Sequence, residues 1–385
     1  MFYMLRRLFP MAVPIPDPGK IKVPPAASGA RKGRGAVSNR DGRFERFVHE
    51  AEDDGWERRL EDDEAAPLRT TVLPDTARKV IARNTSPDVP FDRSINPYRG
   101  CEHGCVYCFA RPSHAYLGLS PGLDFETMLF AKHDAATLLR AELAAPGYRC
   151  DLIQLGANTD PYQPIERRLK ITRQVLEVLA DCDHPVSITT KSDLVLRDLD
   201  ILSPMAAKGL ASVAVSVTTL DGPLARRLEP RAPTPAKRLA AIEGLAKAGV
   251  PVTVLAAPVI PALNDQELED IVARAAAAGA TAAGYILLRL PGEVADLFGE
   301  WLRTYYPARA ERVLSRLRAS RDGALYRSDW GTRRTGTGAE AELLAARFQA
   351  ALRRAGMDRA CSGSRPLATD LFRKPMPETA QMSLF

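Results

Sequence analysis

The chain has 385 residues, 45% of them hydrophobic, which is enough to bury at least one large core and sets a length prior of two or three domains. Its net charge of +6 permits a nucleic-acid partner without demanding one. No apolar run approaches the roughly 18 residues of a membrane span, and residues 1–16 interrupt their apolar stretch with Arg6, Arg7 and prolines where a secretory signal needs an unbroken core, so the chain reads as cytoplasmic with no membrane partner.

Residues 1–44 contain nine Lys/Arg and two Asp among many Pro, Gly and Ala, the composition of a basic, partly disordered extension that reaches to residue 68. Residues 69–297 read as the core domain. Short β-branched or apolar runs recur there at 94–98, 151–155, 186–190, 211–217, 250–256 and 284–288. Between them the apolar spacing of three and four predicts helices over 125–143, 165–179, 235–248 and 265–278. Nearly continuous apolar strands alternating with helices imply a parallel sheet covered by its helices. Six such units are too few for a regular eight-fold barrel and suit an open, partial (β/α)6 barrel of α/β class. In this architecture chemistry gathers at the C-terminal ends of the strands. Residues 298–360 then turn helical, with thirteen Arg, no Lys and seven acidic residues, within an Arg-rich helical region taken as 298–372. Residues 373–385 form an extended tail.

Three of the six cysteines, Cys101, Cys105 and Cys108, fall in one loop after the first predicted strand. In a reducing compartment clustered cysteines point to a metal or catalytic site. Gly100 and Gly104 let the backbone approach a bulky ligand closely. Three thiolates can hold three irons of a cubane cluster and leave the fourth iron open. The alternative is zinc, with His103 or His114 as fourth ligand. Zinc loops usually pair two cysteines with a distant second pair, whereas Cys150, Cys182 and Cys361 are isolated.

The spacing Cys-x3-Cys-x-aromatic-Cys, with Tyr107 as the aromatic, resembles the signature of radical S-adenosylmethionine (SAM) enzymes. Within that superfamily the chain resembles the spore photoproduct lyase-related branch, as an uncharacterised bacterial subgroup. The matching stretches are "SINPYRGCEHGCVYCFARPSHAYLGLSPGLDFE", "GANTDPYQPIE", "TTKSDLVLRD", "SVTTLDGPLARRLEPRAPTPAKRL" and "PVIPALND". The resemblance implies a [4Fe-4S] cluster on Cys101, Cys105 and Cys108, with SAM on the open iron, and an electron donor of flavodoxin or ferredoxin type. Sorted by strand end, Thr159 and Asp160 after the second strand, Lys191 after the third and Ser216 on the fourth are candidates to hold SAM. Glu229 and Arg231 bind cofactor or substrate, or cap the following helix. Arg289 after the sixth strand reads as a substrate- or SAM-facing cation, or as half of a structural ion pair. The related lyase uses a cysteine as hydrogen donor. Cys150 and Cys182 precede their strands and so lie at the wrong end, which leaves Cys361 as the candidate.

The chain stops with Gln381, Met382, Ser383, Leu384 and Phe385, resembling the short peptide that binds the bacterial sliding clamp. Met382, Leu384 and Phe385 would anchor in a hydrophobic groove and Gln381 would orient them. Together these features predict a radical SAM enzyme acting on nucleic acid, in a role of DNA-repair type. The alternatives are radical chemistry on a peptide or small metabolite, and a non-enzymatic iron–sulfur DNA-binding protein.

Overall fold

The computed structural model describes residues 31–44, 68–357 and 366–375. Among the described residues ten strands follow in chain order: β1 (Thr71–Pro74), β2 (Ile81–Arg83), β3 (Arg93–Ile95), β4 (Tyr98–Arg99), β5 (Met128–Ala131), β6 (Ile153–Leu155), β7 (Val186–Thr190), β8 (Ala211–Ser216), β9 (Val252–Val259) and β10 (Ala282–Leu287). The main sheet has the order β10-β9-β8-β7-β6-β3-β2. The six strands from β3 to β10 in it are parallel, and β2 adds antiparallel to β3 as an edge. The six runs seen in the sequence are these six strands. β2 and β10 end the sheet without meeting, so it is open, the partial (β/α)6 form expected.

The helices are α1 (Asp124–Thr127), α2 (Ala135–Ala144), α3 (Glu166–Leu169), α4 (Ile171–Asp181), α5 (Leu199–Ala207), α6 (Gly222–Leu228), α7 (Pro235–Lys247), α8 (Leu268–Ala277), α9 (Val294–Tyr305), α10 (Pro307–Ala319) and α11 (Gly338–Arg354). Their starts are chemically marked. Asp221 accepts from Leu224 N at 3.1 Å before α6, and Thr234 with Pro235 opens α7. In α4, Ile171, Val175, Leu176, Val178 and Leu179 form one buried face.

One expectation is corrected. The helix expected over 125–143 is split: α1 ends at Thr127, and Met128–Ala131 becomes β5, the middle of a second sheet ordered β1-β5-β4. Pairing with β1 and β4 outweighs the local helical period because Leu129 and Ala131 alternate into the core. Residues 31–44, within the extension expected to be partly disordered, are packed on the core. Arg34, Ala36 and Val37 are buried, and Glu126 at the end of α1 accepts from Gly35 N at 3.0 Å and Ala36 N at 2.9 Å.

The C-terminal helices close the β10 side. Leu287 N donates to Arg334 O at 2.8 Å, so the loop after α10 satisfies the sheet edge. Phe348 of α11 packs on Tyr285 of β10, ring centres 4.8 Å apart, and Arg347 pairs with Glu269 of α8 at 2.7 Å. Among the described residues no helix is long and apolar enough to cross a membrane.

Candidate active site

The loop from Cys101 to Cys108 leaves β4 and lies over the C-terminal ends of the strands. Its backbone is fixed from three sides. Gln163 takes the first turn: Oε1 accepts from Glu102 N at 2.8 Å, and Nε2 donates to Gly100 O at 3.2 Å. The turn after α6 takes the middle, through Val106 N to Leu228 O at 3.1 Å and Arg231 N to His103 O at 3.3 Å. Arg111, fully buried, takes the far side. It donates to Cys105 O at 2.9 Å and Gly104 O at 3.3 Å, and pairs with the buried Glu126 at 2.5 Å. The same Glu126 holds the 31–44 segment. A Cβ on Gly35 would sit 1.8 Å from Gly104 O, so only glycine permits this approach.

Beneath the loop is a cavity of about 950 Å³, its open mouth included. Cys101, Cys105 and Cys108 form one wall, and the ends of β6, β7, β8, β9 and β10 form the rest. All three thiols are free. Burial pushes each of them up, Cys105 to about 12 against the opposing charge of Lys191. Among the described residues no three His, Cys, Asp or Glu side chains are arranged around a single ion. Three unpaired thiols on one wall of an open-mouthed, largely apolar cavity fit a polynuclear cluster, which spreads its ligands further apart.

The sequence-predicted residues divide. Lys191 lines the cavity, with Nζ 5.9 Å from the centre of the Tyr107 ring. Burial lowers its pKa, but nearby Cys105 and Glu229 outweigh that and hold it above the ordinary lysine value. Ser216 lines it at the end of β8. Thr159 and Asp160 line it too, but spend polar atoms on the scaffold. Thr159 Oγ1 donates to Tyr98 O at 3.0 Å, and Asp160 accepts from Thr190 Oγ1 at 2.6 Å, Lys191 N at 2.7 Å and Tyr162 N at 2.9 Å. Burial pushes Asp160 up, but the adjacent His103 ring and these donors outweigh it and hold the carboxyl at about 2. His103 Nδ1 lies 3.3 Å from Asp160 Oδ2 without hydrogen-bond geometry. His114 lies outside the cavity wall, with Nε2 2.9 Å from Met128 O.

Glu229 and Arg231 do not line the cavity; they stand behind the cysteine loop. Glu229 accepts from Arg238, from Tyr107 Oη and from Thr218 Oγ1, the last at 2.6 Å. Burial pushes it up, and the Arg238 and Lys191 charges bring it down to about 2. Arg231 pairs with Glu102 at 3.1 Å. Cys150 and Cys182 are away from the cavity, while Cys361, Gln381, Met382, Leu384 and Phe385 lie outside the described residues. Sequence reading missed the Tyr107–Glu229–Arg238 network, the Arg111–Glu126 pair and Phe109 as a cavity wall. The only available signal was a buried charge type, Glu or Arg, beside the cysteine motif.

The model of the radical SAM superfamily matches residues 95–275. An uncharacterised protein of Mycobacterium tuberculosis is 41% identical over 226 residues, 58% of this chain and 66% of the relative. An uncharacterised protein of Methanocaldococcus jannaschii is 30% identical over 173 residues, 45% of this chain and 62% of the relative. The chain therefore spans just under two thirds of these curated relatives. Among solved structures, a spore photoproduct lyase mutant with bound AdoMet and dinucleoside spore photoproduct matches with a TM-score of 0.53 at 16% identity, over 74% of this chain and 79% of that one. At that identity the likeness is one of fold.

Proposed function

Because this chain belongs to the radical SAM superfamily, we propose that it is an enzyme in which Cys101, Cys105 and Cys108 hold a [4Fe-4S] cluster, the cavity binds SAM, and the substrate is nucleic acid, in a reaction of DNA-repair type. The observation that carries the reading is the cavity, with three free thiols on one wall and the half-buried Lys191 on the next. Cluster and SAM together, when bound, supply a carbon-centred radical that takes hydrogen from an unactivated C–H bond.

The chain's own residues bind, orient and exclude water. Lys191 offers its ammonium to the SAM carboxylate; its Nζ makes no ion pair among the described residues. Asp160 and Thr159 lock the β6 and β7 loops so that Lys191 is held in place. Ser216 supplies a hydroxyl from β8. Glu229 and Arg238 pin Tyr107, and through it the loop between Cys105 and Cys108. Leu255, Ile286, Leu287 and Leu288 keep the interior dry, which protects a reactive radical from side reactions. An electron donor of flavodoxin or ferredoxin type completes the cycle. Cys361 is the candidate hydrogen donor to the product. Gln381, Met382, Leu384 and Phe385 are the candidate contacts to a sliding clamp.

Anaerobic reconstitution tests the core of this. The reading expects iron and sulfide on the protein, an electron paramagnetic resonance signal after reduction, and 5′-deoxyadenosine from SAM, all lost in Cys105→Ala. A colourless, iron-free protein would sink it. Damaged DNA should raise 5′-deoxyadenosine production, and its binding should weaken steeply with salt. If neither holds while SAM is still cleaved, the substrate is a peptide or small metabolite.

A further inference from the structure

Lys191 is not the only cation in the cavity. Arg289 follows β10 and lines the same space, beside Phe109 at the Cys108 end of the cysteine loop. Its guanidinium carbon lies 5.2 Å from the centre of the Phe109 ring and 5.9 Å from that of Tyr326. Its one hydrogen bond among the described residues is a long one, Nη2 to Tyr326 Oη at 3.4 Å, and its Nε is buried with no partner. Among the described residues no carboxylate answers it. The groups behind it add charge of the same sign. Arg321, 2% exposed, donates to Leu288 O at 2.8 Å and Arg333 O at 3.2 Å, both neutral carbonyls. Arg334 donates to the carbonyl of Asp88, whose carboxylate is already engaged by Arg333. Burial lowers the pKa of both Arg321 and Arg334, and the charge of Arg289 lowers each further.

A guanidinium held without a counter-ion, backed by two more, costs free energy unless a ligand brings the missing negative charge. SAM brings one carboxylate, and Lys191 already stands against the cysteine wall to receive it. The second cation therefore calls for a second anion, which belongs to the substrate. Its surroundings specify more. Phe109 follows Cys108 directly, lines the cavity and is 45% exposed, so part of its ring is open to a ligand beside the guanidinium. Planar fork plus exposed aromatic ring is the pairing used for phosphate and base in single-stranded nucleic acid.

We propose that Arg289 receives a backbone phosphate of the nucleic-acid substrate while Phe109 stacks an adjacent base at the cavity mouth. This rests on the nucleic-acid reading above and assigns the residues that recognise it.

The test uses the full chain, anaerobically reconstituted, and a short fluorescent single-stranded oligodeoxynucleotide. Arg289→Gln should weaken binding about tenfold, the loss of one charge-assisted contact. The slope of log affinity against log salt should become shallower by about 0.7. Phe109→Leu should weaken binding with the slope unchanged. An oligonucleotide with neutral methylphosphonate linkages should bind wild type and Arg289→Gln alike. SAM affinity by equilibrium dialysis, iron content and thermal midpoint should stay at wild-type values, and Arg289→Lys should restore the slope. If wild type binds the oligonucleotide and Arg289→Gln binds it equally, the assignment falls while the nucleic-acid reading stands. If Arg289→Gln loses SAM affinity instead, Arg289 serves the cofactor and the assignment falls. If wild type shows no salt-dependent binding, both fall.

Discussion

Glu229 illustrates how a residue next to a motif can act through another residue. Its side chain is fully buried, bonded to Arg238, Tyr107 and Thr218, and absent from the cavity wall. Replacing it with Gln keeps the shape and removes the charge, which leaves the Arg238 guanidinium buried and unpaired. Breaking one side of a buried pair costs about 3–5 kcal/mol. Urea unfolding of Glu229→Gln should show a loss of that order, and the loosened Tyr107 should lower iron uptake on reconstitution. Were Glu229 a SAM ligand, as its sequence position allowed, the variant would keep its unfolding midpoint and lose SAM affinity. Lys191 differs at the same scale: its Nζ makes no ion pair among the described residues and feels Cys105 and Glu229 only as nearby charges, so Lys191→Met should preserve stability to within about 1 kcal/mol, because it breaks no ion pair. SAM affinity should fall about tenfold or more, read by equilibrium dialysis.

Two short segments outside the main sheet brace it from opposite ends. Residues 31–44 close on the cysteine loop through Gly35 and Glu126. The substitution Gly35→Ala drives a Cβ into Gly104 O, an overpacking cost of about 1–3 kcal/mol. Iron per chain after reconstitution should drop, whereas Gly147→Ala, with nothing within 4 Å of its added Cβ, should reconstitute like wild type. Equal iron in both variants would show that the segment does not support the loop. Residues 366–375 brace the other end. Phe372 packs on His184 with ring centres 5.3 Å apart, and Tyr148 Oη lies 2.7 Å from His184 Nε2. Because Pro185 O, 3.0 Å from Nδ1, can only accept, Nδ1 carries the proton and Nε2 accepts from Tyr148. Burial lowers the His184 pKa to about 4, against about 6.5 when unfolded. Between those values the unfolded chain binds the extra proton. The stability from neutral His184 is therefore complete above pH 6.5 and is lost as pH falls toward 4, by at most about 3 kcal/mol. Unfolding at pH 7 and pH 5 should show this decline. His184→Gln should reduce it without abolishing it, since burial also lowers His114 to about 4.

Across the molecule, legibility followed how local the determining contacts are. The six parallel strands could be read from β-branched runs such as Val186–Thr190, and the cysteine loop from three residue types at fixed spacing. The β1-β5-β4 sheet could not, because strands of two to four residues are defined by partners far away in sequence. Nor could the 31–44 brace, whose bonds to Glu126 cross about ninety residues. The parallel arrangement also separates two ends of the protein. The cavity lies at the C-terminal ends of the strands. The 366–375 segment runs along the N-terminal ends, where Ala368 N donates to Gly209 O at 3.0 Å just before β8 and Arg373 N donates to Cys182 O at 2.8 Å before β7. Lys374 then donates to Ala145 O and Pro146 O, both at 3.0 Å, just after α2. Gln381, Met382, Leu384 and Phe385 lie outside the described residues, but the described segment that leads to them ends at the face opposite the cavity, so clamp binding and catalysis are expected to separate. Deleting residues 381–385 should abolish binding to a purified sliding clamp in surface plasmon resonance, and leave iron content and SAM cleavage on a free oligonucleotide unchanged. Phe372→Ala should keep clamp binding, because it loosens the anchor and leaves the peptide intact. A deletion that slowed SAM cleavage without any clamp present would mean that the tail reaches the cavity, and would overturn the two-ended arrangement.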